Sequence, residues 1–380
     1  MANHPKVRLV VGCMTGTSLD ALDTALVRIA GTGLSMTATV LRTYSVSLGP
    51  LAGPLRALAE QQPAPARVIA ALARDLALLH IEAITRVLAS AAPLDRADLI
   101  CVHGQTIFHA PPLSWQLINP APIAVALRTP VVYDLRAADM AAGGQGAPIT
   151  PIADYIFFRS PDEPRLVVNL GGFCNVTVLP RATEDRQRDV TLVTGRDVCP
   201  CNQLLDAIAR RCLGQPYDEG GRVAAAGTPH PDALDDLRAL LREFDRPHRS
   251  LGTGDEVAMW VNRYAPVLPT PDLAATACAA IAEAIARAGP RPGSAGPGAA
   301  PTRFILAGGS VHHVALVDMI REAAPGPVSI SDEHGVAAPF REAAEMAVLG
   351  ALCEDRVPIT LPQVTGSREP APVAGAWVYP

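Results

Sequence analysis

Short apolar runs separated by small polar turns dominate the first 200 residues. "VRLVV" (7–11) leads into "GCMTGTSLDALD" (12–23), and "TALVRI" (24–29) follows, which predicts strand, turn, strand. A third strand is expected over Thr39–Leu48. The period then lengthens: Val68, Ile69, Leu72, Leu76, Leu79, Ile84 and Val87 recur at three- and four-residue steps, which predicts one long helix over 64–91. "DLICVHG" (98–104) and "TPVVYD" (129–134) read as short buried strands.

The pattern then restarts. "RLVVNLGGFCNVTVLP" (165–180) is again strand, glycine turn, strand, and a further strand is expected over 190–197. A helix over Asn202–Leu213 is expected to be capped by Asn202 and stopped by Gly214. Another over Asp272–Ala288 has Thr270 and Pro271 at its start and Gly289 past its end. "RFILAGGS" (303–310) carries a third glycine turn, and a last helix covers Pro339–Cys353. "GPRPGSAGPGAAP" (289–301) holds no core-forming residues and reads as a surface connection. Two similar α/β halves are therefore expected: residues 1–134 with 345–380, and residues 135–344.

Composition narrows the class. A chain of 380 residues, 49 % hydrophobic and 18 % charged, suits two cores better than one. The net charge of -5, the absence of a basic tract and an aromatic content of 4 % argue against nucleic acid as a partner. No apolar run reaches the length of a membrane span, and the N-terminal stretch lacks a signal-peptide pattern. Eight cysteines stand in apolar surroundings without a C-x-x-C, so buried, reduced thiols and a cytoplasmic setting are expected.

The turns carry candidate chemistry. Gly12 and Gly16 let backbone approach a ligand, and Thr15, Thr17 and Ser18 add hydroxyls to an anion cradle. Asp20 would repel phosphate unless a cation such as Mg²⁺ lies between them. Gly171 and Gly172, flanked by Asn169 and Asn175, form a second cradle; either turn can equally be a hairpin that needs glycine. Asp197 precedes a helix and is free to act as a general base if Asn202 is the cap. "HGQTIFHAPP" (103–112) offers His103, Gln105 and Thr106 at a strand end, where α/β folds place ligand contacts. "YDLRAADMAAGGQGAPITP" (133–151) adds Asp134, Arg136 and Asp139, a set suited to a polyhydroxy ligand or to a surface ion pair. Neither G-x-G-x-x-G nor G-x-x-x-x-G-K-[ST] occurs. At the level of fold analogy, paired hairpin cradles suggest an actin-like or sugar-kinase-like protein.

Taken in order, "GCMTGTSLDALD", "HGQTIFHAPP", "AAGGQGAPITP", "VVNLGGFCNV" and the weaker "LPQVTG" (361–366) resemble the 1,6-anhydro-N-acetylmuramic acid kinases over nearly the whole chain. The resemblance implies two actin-like, ribonuclease H-like lobes with a central active-site cleft. It implies an enzyme that uses ATP and Mg²⁺ to open an anhydro sugar with water and phosphorylate O6, and it implies a homodimer. By motif position, 12–20 would be the first phosphate loop, Asn169–Asn175 the second, and Gly308 and Gly309 would lie beside the adenosine. Asp197 would activate water and Asp20 would help place Mg²⁺. His103, Gln105, Thr106, Gln116, Asn119, Asp134, Arg136 and Asp139 would meet the sugar.

The chain departs from the family pattern mainly at glycines. Ala21, Ile118, Cys199, Cys201 and Ser310 stand where the family has glycine. His313 stands at an asparagine position, and Ala137 and Ala138 at two arginine positions; "SLGTGDE" (250–256) replaces a Lys-Ser-Thr-Gly-Arg-Glu stretch. A side chain at a glycine position can block a ligand or forbid a positive φ. Two alternatives therefore stand beside the kinase: an enzyme that works without ATP, using Asp197 as acid and base, and a non-catalytic binding protein.

Overall fold

A computed structural model describes residues 6–16, 18–94, 96–244, 255–289 and 300–380. The chain divides into two units. The first comprises residues 1–157, 184–193 and 340–380, and the second comprises 158–183 and 194–339. Residues 135–157, expected with the second half, group with the first.

In the first unit, three antiparallel strands form in sequence: β1 (Val7–Thr15), β2 (Ala21–Ala30) and β3 (Thr37–Ser47). Helices α1 (Ala52–Ala59) and α2 (Ala66–Ala89) follow, the second beginning just after Pro65 as the helical period required. β4 (Leu99–Val102) then joins β1 in parallel. A separate hairpin, β5 (Gln105–Ala110) and β6 (Leu113–Leu117), precedes α3 (Ala121–Leu127) and β7 (Val131–Tyr133). Next come α4 (Ala137–Ala141), α5 (Pro151–Phe158) and α6 (Arg186–Thr191). The unit closes with α13 (Arg341–Glu354), α14 (Pro362–Thr365) and β13 (Ala376–Val378). Its sheet runs β13-β7-β4-β1-β2-β3.

The second unit contains β8 (Arg165–Leu170), β9 (Phe173–Leu179) and β10 (Thr194–Pro200). Helices α7 (Asn202–Ile208), α8 (Arg222–Ala225), α9 (Pro231–Phe244), α10 (Asp255–Tyr264) and α11 (Thr270–Ala288) follow. β11 (Arg303–Ala307), α12 (Val314–Ala323) and β12 (Val328–Ile330) complete it. Its sheet order is β10-β9-β8-β11-β12.

The two sheets share one topology. In each, an antiparallel meander of three strands is extended, beside its first strand, by two parallel strands: β3-β2-β1-β4-β7 in one unit and β10-β9-β8-β11-β12 in the other. This is the ribonuclease H-like arrangement, present twice. Each unit has its own apolar core, one around α2 and the other around α7, α9, α11 and α12. Helix α13 is buried on nearly every side, so its middle is apolar all round rather than striped, and the charges of its first turns are paired: buried Arg341 bridges Asp154 (2.6 Å) and Glu345 (2.5 Å).

One expected element moved. Residues 190–193 finish α6 and its exit turn, and the strand begins at Thr194. The Asp185 carboxylate accepts from the Arg188 N–H (3.0 Å) and so fixes the helix start. Pro200 is tolerated because β10 is an edge strand. All eight cysteines are free thiols, seven of them buried. Among the described residues no helix is long and apolar enough to cross a membrane.

Candidate functional site

The first hairpin begins later than its sequence suggested. β1 continues through Thr15, so Gly12 lies inside a strand and not in the turn. It is glycine because α13 crosses there: a Cβ would stand 2.0 Å from Ala343 O and 2.4 Å from Ala347 N. The turn proper is 16–20. Thr15 is buried and its hydroxyl donates inward to Gly104 O (3.1 Å). Gln105 Nε2 donates to Gly16 O (3.4 Å), and Leu19 N–H closes the turn onto the same carbonyl (3.3 Å) with a positive φ of 61°. Ser18 and Asp20 are exposed, and the Asp20 carboxylate has no partner among the described residues. Thr17 lies outside the described residues, as does most of "SLGTGDE".

Two pairs of the sugar-side candidates meet: Thr106 with Gln116, and His103 with Arg136. Thr106 pairs with Gln116 across β5 and β6, next to a bulge. Gln116 Nε2 donates to Ser114 Oγ (2.8 Å), and Asn119 Oδ1 accepts from Ala121 N–H (3.3 Å) at the start of α3. Buried His103 bonds Gly104 O through Nδ1 (2.8 Å), so the proton sits on Nδ1 and Nε2 is left as an acceptor. Arg136 donates to Nε2 from Nε (3.1 Å) and from one Nη (2.9 Å), while its other Nη donates to Gly146 O (2.6 Å). Burial, then the guanidinium charge, pushes the His103 pKa down to about 3; burial lowers Arg136 to about 10. Arg136 has no carboxylate within salt-bridge distance among the described residues, and Glu342 acts on it only from further away.

Asp139 has a different role from the one its motif implied. It is fully buried, accepting from Gly146 N–H (2.8 Å) and from Thr365 Oγ1 (2.8 Å), and Gly144 packs against its carboxylate. It organises the glycine turn that presents Gly146 O to Arg136, and "LPQVTG" supplies the second partner. Asp134 ends β7 with a positive φ of 54°. The Gln105 Oε1 atom is buried without a hydrogen-bond partner.

The second unit builds its site from backbone. Asn169, Asn175 and Asp197 stand in register across β8, β9 and β10, forming a polar row on one face. A bulge between Asp197 and Cys199 turns the strand just beyond it. Neighbouring groups strip water from part of the Asp197 carboxyl and raise its pKa, although the side chain still reaches solvent. At the hairpin tip, Gly171 O accepts from Asn202 N–H (3.0 Å), and Gly172 O accepts from Cys201 N–H (2.9 Å) and Gln203 N–H (3.2 Å). The Gly171 and Gly172 N–H groups have no acceptor among the described residues, as an anion cradle requires. Gly308, with φ 89°, abuts the tip: a Cβ there would stand 2.7 Å from Asn169 Oδ1. Gly309 faces open space.

The replaced glycines stand where the backbone does not require glycine. None of Ala21, Ile118, Cys199, Cys201 and Ser310 adopts a positive φ. Cys199 and Cys201 point into the core, with Cys199 opposite Cys174 across the ladder. Ile118 packs over Gly104. His313 caps α12, its Nδ1 accepting from Leu316 N–H (3.2 Å). The expected cap of α7 shifts by one: Cys201 occupies that position without a side-chain capping bond, and Asn202 is the first helical residue, its Oδ1 accepting from Ser310 Oγ.

Two contributors carried no sequence signal. Arg56, from α1, donates to Ser18 O (2.9 Å) and brings a cation to the lysine-free first turn. Glu342, at the start of α13, acts electrostatically on both Arg136 and Asp23. One glutamate among the charges that open an alanine-rich helix belongs to no motif.

The repeated topology, with a hairpin after the first strand of each unit, defines an actin-like α/β protein. The anhydro-N-acetylmuramic acid kinase family profile matches residues 8–380. An anhydro-N-acetylmuramic acid kinase from Salinibacter ruber is 37 % identical over 96 % of this chain and 95 % of its own length. Its counterpart from Gloeobacter violaceus is 35 % identical over 96 % and 97 %, and that from Bordetella petrii 35 % over 98 % and 96 %. The chain belongs to the anhydro-N-acetylmuramic acid kinase family.

Proposed function

We propose that this protein is a cytoplasmic kinase that hydrolytically opens 1,6-anhydro-N-acetylmuramic acid, or a close anhydro amino sugar, and phosphorylates its O6. The observation that carries the reading is the second hairpin. Its two glycine N–H groups lack acceptors among the described residues, and its polar row ends at Asp197, whose raised pKa suits a general base.

The residues present fit ATP and Mg²⁺. Gly171 and Gly172 would hold phosphate oxygens, and Gly308 and Gly309 would flank the nucleoside. Asp20, exposed and unpartnered, is the kind of single carboxylate that Mg²⁺ takes together with phosphate oxygens and water. When bound, the nucleotide supplies the terminal phosphoryl group and the metal offsets its charge. Asp197 takes a proton from water as the water oxygen bonds to the anomeric carbon. The bond from that carbon to the bridging oxygen breaks, leaving that oxygen as O6 to accept the phosphoryl group. Arg136, held by His103 and Gly146 O, faces the substrate's carboxylate; Gln105, Thr106, Gln116, Asn119 and Asp134 contact its polar groups. The homodimer belongs to the same proposal and is checked by sedimentation.

Thermal unfolding with Mg-ATP tests the nucleotide half. A ligand at 100 times its Kd adds about 2.7 kcal/mol. The expected result is a rise in Tm with Mg-ATP and a further rise with the anhydro sugar. No shift at millimolar Mg-ATP would contradict the proposal.

A further inference from the structure

We propose that Ser310 is a positioning residue for the nucleotide phosphates: its hydroxyl ties the glycine turn after β11 to the start of α7 and so holds the Gly171–Gly172 hairpin ready for an anion. The inference rests on the nucleotide reading above and adds a residue to it.

Three segments meet at the hairpin tip. The start of α7 grips it through three backbone bonds, from the Cys201, Asn202 and Gln203 N–H groups to Gly171 O and Gly172 O. The turn after β11 grips it by close approach, since Gly308 leaves no room for a Cβ beside Asn169 Oδ1 and Leu170 O (2.8 Å). Those two segments are joined to each other by Ser310 Oγ donating to Asn202 Oδ1. The contacts therefore form a closed ring: hairpin, α7 start, Ser310, Gly308, hairpin.

Ser310 is the fixed point of that ring on the β11 side. Cys201, at the cap position of α7, makes no side-chain bond to the backbone N–H groups of the first turn, so the helix start has no conventional cap. The other donor to Asn202 Oδ1 is the weak Cys201 thiol at 3.7 Å. On the other side, Gly308 and Gly309 are glycines with high backbone entropy, and a Cβ on Gly309 would meet nothing within 4 Å. Removing the Ser310 hydroxyl frees the turn from α7 and frees α7's first residue, whose backbone N–H holds Gly171 O. The cradle N–H groups then have to be ordered at the moment of phosphate binding, which lowers affinity.

The test compares Ser310→Ala, Ser310→Gly and Ser310→Thr in the full chain. Loss of one hydrogen bond predicts a KM for ATP raised by about three- to tenfold in the first two variants. KM for the sugar and kcat at saturating ATP should stay within about twofold, and Ser310→Thr, which keeps the hydroxyl, should behave as the parent. Asn202→Ala should reproduce the ATP effect, and the double variant should be no worse than either single one. A second arm uses no ligand: in Ser310→Ala, amide hydrogen exchange at Cys201, Asn202 and Gln203 should accelerate. Unchanged exchange with unchanged KM for ATP overturns the proposal, as does an equal rise in both KM values. If the parent protein itself fails to bind Mg-ATP, the nucleotide reading falls, and the exchange arm alone then decides whether the tie holds the hairpin.

Discussion

The two hairpins occupy equivalent places in two copies of one topology, yet they solve recognition differently. In the first unit the backbone is buried and committed: Thr15 turns inward, Gly12 makes room for a helix, and specificity falls to side chains such as Arg136. In the second unit the tip carbonyls are bound by α7, the N–H groups are left free, and the ligand surface is the main chain itself. A glycine can therefore mean opposite things in the two hairpins. Gly12 serves packing, and Gly172, with only Gln203 Cγ near its missing Cβ (3.8 Å), serves exposure of backbone.

Substitutions can break this contrast. The largest effect is expected at Asp197→Asn, which should lower kcat by about 10²- to 10⁴-fold while Mg-ATP still stabilises the protein. Steady-state turnover and thermal shift, read together, check it; a retained kcat removes Asp197 as the base. Next is the glycine pair. Gly12→Ala forces a Cβ into α13 and should cost about 3 kcal/mol or more. Gly172→Ala should change stability by less than about 0.5 kcal/mol while weakening Mg-ATP binding. Urea unfolding and titration calorimetry separate the two, and equal destabilisation would erase the distinction.

Arg136→Ala should raise KM for the sugar by about tenfold or more and leave KM for ATP unchanged. Arg136→Lys should not restore it, because one ammonium cannot reproduce the guanidinium fork onto His103 Nε2 and Gly146 O. The smallest effect is on pH dependence. Burial lowers His80 to about 4 and His103 to about 3. Both lie below an unfolded value of about 6.5, so their neutral forms favour folding above that pH, and the contribution is lost as pH falls toward the folded values. Each histidine should add a slope of about 1.4 kcal/mol per pH unit between roughly pH 4.5 and 6. His80→Leu should remove about one such slope in urea titrations at stepped pH.

Much of this was legible in the chain because periodicity reports burial. The strand–turn–strand repeats, the long α2 and the Gly214 stop all follow from local pattern. What sequence misjudged were positions set by tertiary contact. Gly12 looked like a loop residue because nothing local announces that α13 crosses it. Asp139 looked like a ligand contact because its partners, Gly146 and Thr365, lie seven and 226 residues away. Motif position also does not reveal side-chain direction at the replaced glycines; Cys199 and Cys201 face the core. The Ser310–Asn202 tie joins residues 108 apart and has no sequence signature.

Ring opening coupled to phosphorylation is most directly tested by incubating the protein with Mg-ATP and 1,6-anhydro-N-acetylmuramic acid in ¹⁸O-labelled water. The account predicts one ADP released per sugar consumed, phosphate on O6, and the label at the anomeric hydroxyl. ADP release no faster than with ATP alone, or a phosphorylated product that keeps its anhydro bridge, would contradict it.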